Sequence, residues 1–121
     1  SLKDLITFLP HSPLKIAKVF YKKGDYKTAG FWAAKAYEKF LYDECAKYRI
    51  DIIEKAHKRA EMIRKLTWRT DKWRFLKNKD LLHATKKLRN KIIPGIKNFP
   101  KDMVNGLINN VEELKNISSE G

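Results

Sequence analysis

Gly24-Asp25-Tyr26-Lys27-Thr28-Ala29-Gly30-Phe31-Trp32-Ala33-Ala34-Lys35-Ala36-Tyr37-Glu38-Lys39-Phe40-Leu41 reads as a turn followed by a helix. Glycine tolerates positive φ, so Gly24 suits the residue just past a helix end. Asp25 can then cap the next helix by accepting a hydrogen bond from its first free amides. Ala29, Ala33, Ala36 and Phe40 recur at helical spacing. Small residues at 29, 30, 33 and 34 would let another helix approach closely.

The flanking segments continue the helical pattern. Leu2–Leu9 predicts a short helix closed by Pro10. Ser12-Pro13 is a strong start signal, serine as cap and proline at the first helical position. Leu14, Ala17, Phe20 and Tyr21 form one apolar face up to Lys23. The long helix runs from about Tyr26 to Tyr48, with a break or kink near Arg49–Asp51. Ile52/Ile53, Ala56, Ala60, Ile63 and Leu66/Thr67 mark a third helix. Trp68 to Lys79 holds no sustained period, although Thr70 or Asp71 could cap a short helix there. Asn78 or Asp80 is the expected cap of the next, whose face is Leu81/Leu82, Thr85, Leu88 and Ile92 and which Pro94-Gly95 breaks. Pro100 opens a last helix with Met103/Val104, Leu107/Ile108, Val111 and Leu114 inward. Ser118–Gly121 reads as a frayed tail. With no β-hairpin signal, the expected fold is all-α: an antiparallel up-down bundle of four to five helices in one domain over residues 1–121.

Charge divides the chain in two. Residues 55–101 hold 16 Lys/Arg against Glu61, Asp71 and Asp80, which accounts for the whole net charge of +13. The remainder is neutral. A basic half on a neutral half suggests a polyanionic partner such as RNA, DNA, nucleotide phosphates or an acidic protein. The plainer alternative is a solvated lysine-rich surface. No apolar run reaches the length of a membrane span and no signal peptide is evident, so the expectation is a cytoplasmic chain without a membrane partner. The single cysteine, Cys45, cannot form an internal disulfide, and its place in the long helix suggests a small buried apolar residue. Many lysines and isoleucines with no glutamine suit a heat-adapted source or an AT-rich genome, while seven asparagines weigh against thermal selection.

The run from Gly24 to Leu41 resembles the HEPN family (higher eukaryotes and prokaryotes nucleotide-binding domain). Gly24, Asp25, Tyr26, Ala29, Phe31, Ala33, Ala36, Glu38, Lys39 and Leu41 carry the likeness, which covers about one-sixth of the chain. Tetratricopeptide repeats begin similarly but recur about every 34 residues, and residues 58–64 show no second copy. The resemblance implies a helical bundle, a homodimer and a partner nucleotidyltransferase. Catalytic members are metal-independent ribonucleases with an Arg, four to six residues, then a His. The histidine exchanges a proton with the ribose hydroxyl, and cationic donors stabilise the phosphate as charge builds.

Arg89 and Asn90 match the start of that motif, but Pro94, Gly95 and Ile96 stand where the histidine belongs. None of them carries a proton, and no other arginine has a histidine at that spacing. Two readings of Arg89 follow: a phosphate contact kept without cleavage, or a salt bridge to Glu38 on the facing helix. A divergent ribonuclease using Arg89 and an unidentified base, His57 or His83, is the enzymatic alternative. An adapter for an acidic protein is another. No pair among His11, His57 and His83 has metal-ligand spacing, and nothing implies a cofactor. The adjacent acids Asp43-Glu44 and Glu112-Glu113 diverge on a helix and make no catalytic pair.

The basic segment interleaves aromatics: Trp68, Arg69, Lys72, Trp73, Arg74, Phe75, Lys77, Lys79. Rings can stack on unpaired bases while cations hold phosphates. The same rings could instead be packing contacts. The candidate nucleotide- or RNA-binding residues are Arg69, Lys72, Trp73, Arg74, Lys86, Lys87 and Arg89.

Overall fold

The computed structural model describes residues 12–51, 59–92 and 100–120. Among them run six helices and no strand: α1 Pro13–Lys22, α2 Tyr26–Lys47, α3 Arg59–Arg69, α4 Asp71–Arg74, α5 Leu76–Lys91 and α6 Lys101–Ser119. This is the expected all-α bundle, and the single turn α4 is the short helix that Thr70 was expected to cap. The helix expected over Leu2–Leu9 and the Pro94-Gly95 break lie outside the described residues. No described helix is long and apolar enough to cross a membrane.

The start signals act as local chemistry requires. The Ser12 hydroxyl accepts from the Lys15 amide, with Pro13 as the first helical residue. Gly24 has φ +82°, and the amides of Gly24 and Asp25 close the end of α1 on the carbonyls of Tyr21 and Phe20. The Asp25 carboxylate accepts from the Thr28 amide. A three-residue link therefore reverses the chain, and α2 returns along α1. Ala29, Gly30 and Ala33 are buried on α2, as their small size predicts.

α2 is the central element and packs against α1, α3, α5 and α6. Its inner face is Ala29, Ala33, Ala36, Tyr37, Phe40, Leu41 and Cys45, all in the core. α6 adds Val104, Leu107, Ile108, Val111 and Leu114; α3 adds Met62, Ile63 and Leu66. α2 ends in a second left-handed residue: Arg49 has φ 56°, and the Ile50 amide reaches back 2.8 Å to the Cys45 carbonyl.

Two boundaries differ from expectation. α5 begins at Leu76, after Phe75, with no side-chain cap. Asn78 lies inside it and donates to the Lys72 carbonyl at 2.7 Å. A frayed end does not describe Ser118 and Ser119, which belong to α6. The Ser118 hydroxyl donates to the Glu44 carboxylate, and Lys72 and Lys47 both hold the Ser118 carbonyl.

Candidate functional site

Arg89 sits in the last turn of α5, where the chain turns it toward α2. Its Nη2 lies 2.5 Å from Glu38 Oε1, and Arg59 Nη1 approaches the same oxygen at 3.3 Å. Lys35 adds a weaker contact at 3.9 Å to the other oxygen. The Arg59, Glu38 and Arg89 side chains are only 13%, 21% and 15% exposed. Two guanidiniums thus share one largely desolvated carboxylate. Burial and the like charge of Arg89 push the Arg59 pKa down, and Glu38 opposes that shift. Arg89 Nε is buried without a hydrogen-bond partner. Beside them, the Tyr37 phenol donates to the Leu82 carbonyl at 2.9 Å. Burial holds the Tyr37 pKa well above the usual phenol value, against the pull of Arg59 and Arg89. Arg89 therefore makes the salt bridge that the sequence offered as one of its two readings. Asn90 is exposed.

The aromatic-basic run separates into inside and outside. Trp73 was a candidate for stacking on a base; it is instead fully buried and meets Phe40 edge-on, centroids 5.7 Å apart. Thr70 causes this. Its hydroxyl caps α4 by accepting from the Trp73 amide, and the single turn drives the indole into the core. Lys72 is also diverted: it donates to the carbonyls of Ser118 and Glu120 at the end of α6. Arg69 is exposed and reaches the Arg49 carbonyl at 3.5 Å.

Arg74 folds back on α3, donating from Nη2 to the Trp68 carbonyl at 2.8 Å and from Nε to the Thr67 carbonyl at 3.4 Å. Its Nη1 lies 3.3 Å from Asp71, which is itself almost wholly exposed. Thr67, Trp68, Arg74 and Lys79 line an open recess of about 370 Å³. Trp68 is 74% exposed, Phe75 62% and Leu76 68%. Along α5, Lys77, Lys79, Lys87 and Lys91 are exposed and Lys86 is half-buried, and none makes an ion pair among the described residues. His83 lies among them. Burial and the neighbouring Lys86, Lys79 and Lys87 lower its pKa, with Asp80 opposing.

A second recess of about 320 Å³ is lined by Lys39, Asp43, Glu44, Lys47, Lys115 and Ser118, among others. The two adjacent acids do diverge: Asp43 faces solvent and binds Lys39 at 2.7 Å, whereas Glu44 is 2% exposed. Sequence reasoning did not find Glu44 as a buried group, because its partner Ser118 is distant in the chain. The Cys45 thiol is buried, and burial raises its pKa to about 11, with Glu44 adding to the shift and Lys65 opposing it. Among the described residues no group of His, Cys, Asp and Glu could hold a metal ion. His11 and His57 lie outside the described residues.

The structure thus joins Arg89 to Glu38 and Arg59, and Arg74 to Trp68 and Lys79. Trp68 and Lys79 belong to the run that the sequence marked, yet no periodicity distinguished Trp68 from Trp73. No family model, curated protein or solved structure matches the chain.

Proposed function

We propose that this chain is a HEPN-like, non-catalytic module that binds RNA or nucleotide phosphates through the cationic surface of α3, α4 and α5. The observation that carries this reading is the set of exposed α5 ammonium groups, Lys77, Lys79, Lys87 and Lys91, without acidic partners among the described residues. A solvated ammonium costs little to expose, but several of like sign on one helix repel one another, and a polyanion relieves that repulsion. Arg69, Arg74 and Lys86 extend the surface. Arg89 has a structural role in this reading, since its guanidinium is occupied by Glu38. That occupation also weakens the case for a ribonuclease built on Arg89. The resemblance extends the proposal to a homodimer working in the cytoplasm beside a nucleotidyltransferase partner.

The test is sedimentation of the protein with mixed-sequence oligoribonucleotides over a salt series. Affinity should fall with a log–log slope of roughly −0.7 per phosphate contact on single strands. A flat response removes the proposal. RNA that fails to displace a bound acidic protein points to an adapter instead, and RNA shortened on incubation restores the ribonuclease.

A further inference from the structure

Large apolar side chains exposed among the described residues are Phe31, Trp68, Phe75 and Leu76. All but Phe31 fall within residues 68–76, the run that also supplies Trp68 and Arg74 to the recess they line with Thr67 and Lys79. Such clustering marks an interaction surface rather than the ordinary scatter of apolar atoms. From this geometry we infer that the recess seats one unpaired nucleotide of a single-stranded RNA. The base lies on the Trp68 indole, and the phosphate lies between the Arg74 guanidinium and the Lys79 ammonium. This rests on the polyanion reading above and specifies which form of nucleic acid the surface takes.

The volume of about 370 Å³ falls within the range of small-ligand pockets, roughly 300–1,000 Å³. Its lining brings Trp68, a large exposed aromatic, together with two cationic residues, Arg74 and Lys79. Arg74 is held against the end of α3 by the carbonyls of Thr67 and Trp68, so little side-chain freedom remains to be lost on binding. Its contact with Asp71 is a solvent-exposed pair and is readily exchanged for a phosphate. Lys79 has no ion-pair partner among the described residues.

A strand fits better than a free mononucleotide. Lys86 follows Lys79 by seven residues on the same side of α5, roughly 10 Å along the axis. Lys87 is adjacent, so the next phosphates of a chain would also meet ammonium groups. A duplex fits poorly, because its bases are stacked on one another and offer the indole no free face. An acidic peptide would satisfy Arg74 and Lys79 but leave the ring without a planar partner.

Fluorescence anisotropy tests this with three probes: a labelled oligouridylate of about eight nucleotides, an RNA duplex of equal length, and labelled inorganic polyphosphate. Trp68→Ala should weaken the single strand roughly 5- to 100-fold and leave the duplex and polyphosphate unchanged. Trp68→Phe, which retains a stacking face, should recover most of that loss. Lys79→Gln should reduce the single-strand salt slope by roughly 0.7. Both residues are exposed, and matching thermal unfolding of the variants confirms that they fold.

If Trp68→Ala changes single-strand affinity by less than about twofold, or weakens all probes alike, the nucleotide pocket is wrong while the cationic-surface reading stands. Displacement of the strand by oligoglutamate, with the same dependence on Trp68, identifies an acidic protein as the occupant and overturns the proposal. Failure of every probe to bind at low salt overturns both readings.

Discussion

Glu38 holds two arginines from different helices on one carboxylate, so its removal leaves two poorly solvated cations facing each other. Breaking a buried pair in this way is strongly destabilising, whereas replacing all its members by apolar groups need not be. Glu38→Gln should therefore cost about 2–3 kcal/mol in chemical denaturation, somewhat below the fully buried range because the side chains retain some exposure. Adding Arg89→Met to that variant should recover part of the loss; no recovery would mean that the unpaired Arg89 charge is not its source. The Arg89–Glu38 contact was legible in the sequence because both positions lie on the inward sides of helices. The fates of Trp68 and Trp73 were not. Between them Thr70 ends one helix and caps the next, and that break, which carries no period, decides that Trp73 is the one turned into the core.

Helix ends divide in the same way. Ser12-Pro13 and Gly24-Asp25 carry their geometry in residue type, and the structure adopts both as read. The end of α2 does so less plainly, since Arg49 takes a left-handed conformation that favours glycine. The strain on a residue with a Cβ is about 1 kcal/mol. Arg49 is exposed, and its side chain makes no ion pair among the described residues. Arg49→Gly should therefore stabilise the fold by about 0.5–1 kcal/mol, read as a higher melting temperature. A lower one would show that the arginine side chain contributes more than the backbone strain costs. At the start of α5 no cap announces the helix, which is why Asn78 and Asp80 looked like its boundary. Asn78 instead uses its amide to hold α4 against α5.

The bundle joins a neutral part to a basic one, and α6 both ties the neutral helices together and meets the basic part. Glu112 on α6 binds Lys18 of α1 at 2.7 Å, Ser118 reaches Glu44 of α2, and Lys72 of α4 closes on the last carbonyls. The apolar face of α6 was readable from its spacing. These cross-links were not, because long flexible side chains choose partners that only the folded chain brings near. The same limit applies to the recess at Trp68, whose walls come from α3, α4 and α5.

Tyr37 spans the seam between the two parts through its bond to Leu82. A phenol ordinarily ionises near 10.0, but here burial holds the proton to higher pH. Above that value the unfolded chain sheds this proton while the folded chain keeps it, so stability declines as alkalinity rises. In a spectrophotometric base titration the Tyr37 ring should stay dark, and its phenolate absorbance should emerge together with the loss of helical circular dichroism. Substitution by phenylalanine should abolish that coincidence, making one ring an optical gauge of whether the neutral and basic parts remain joined.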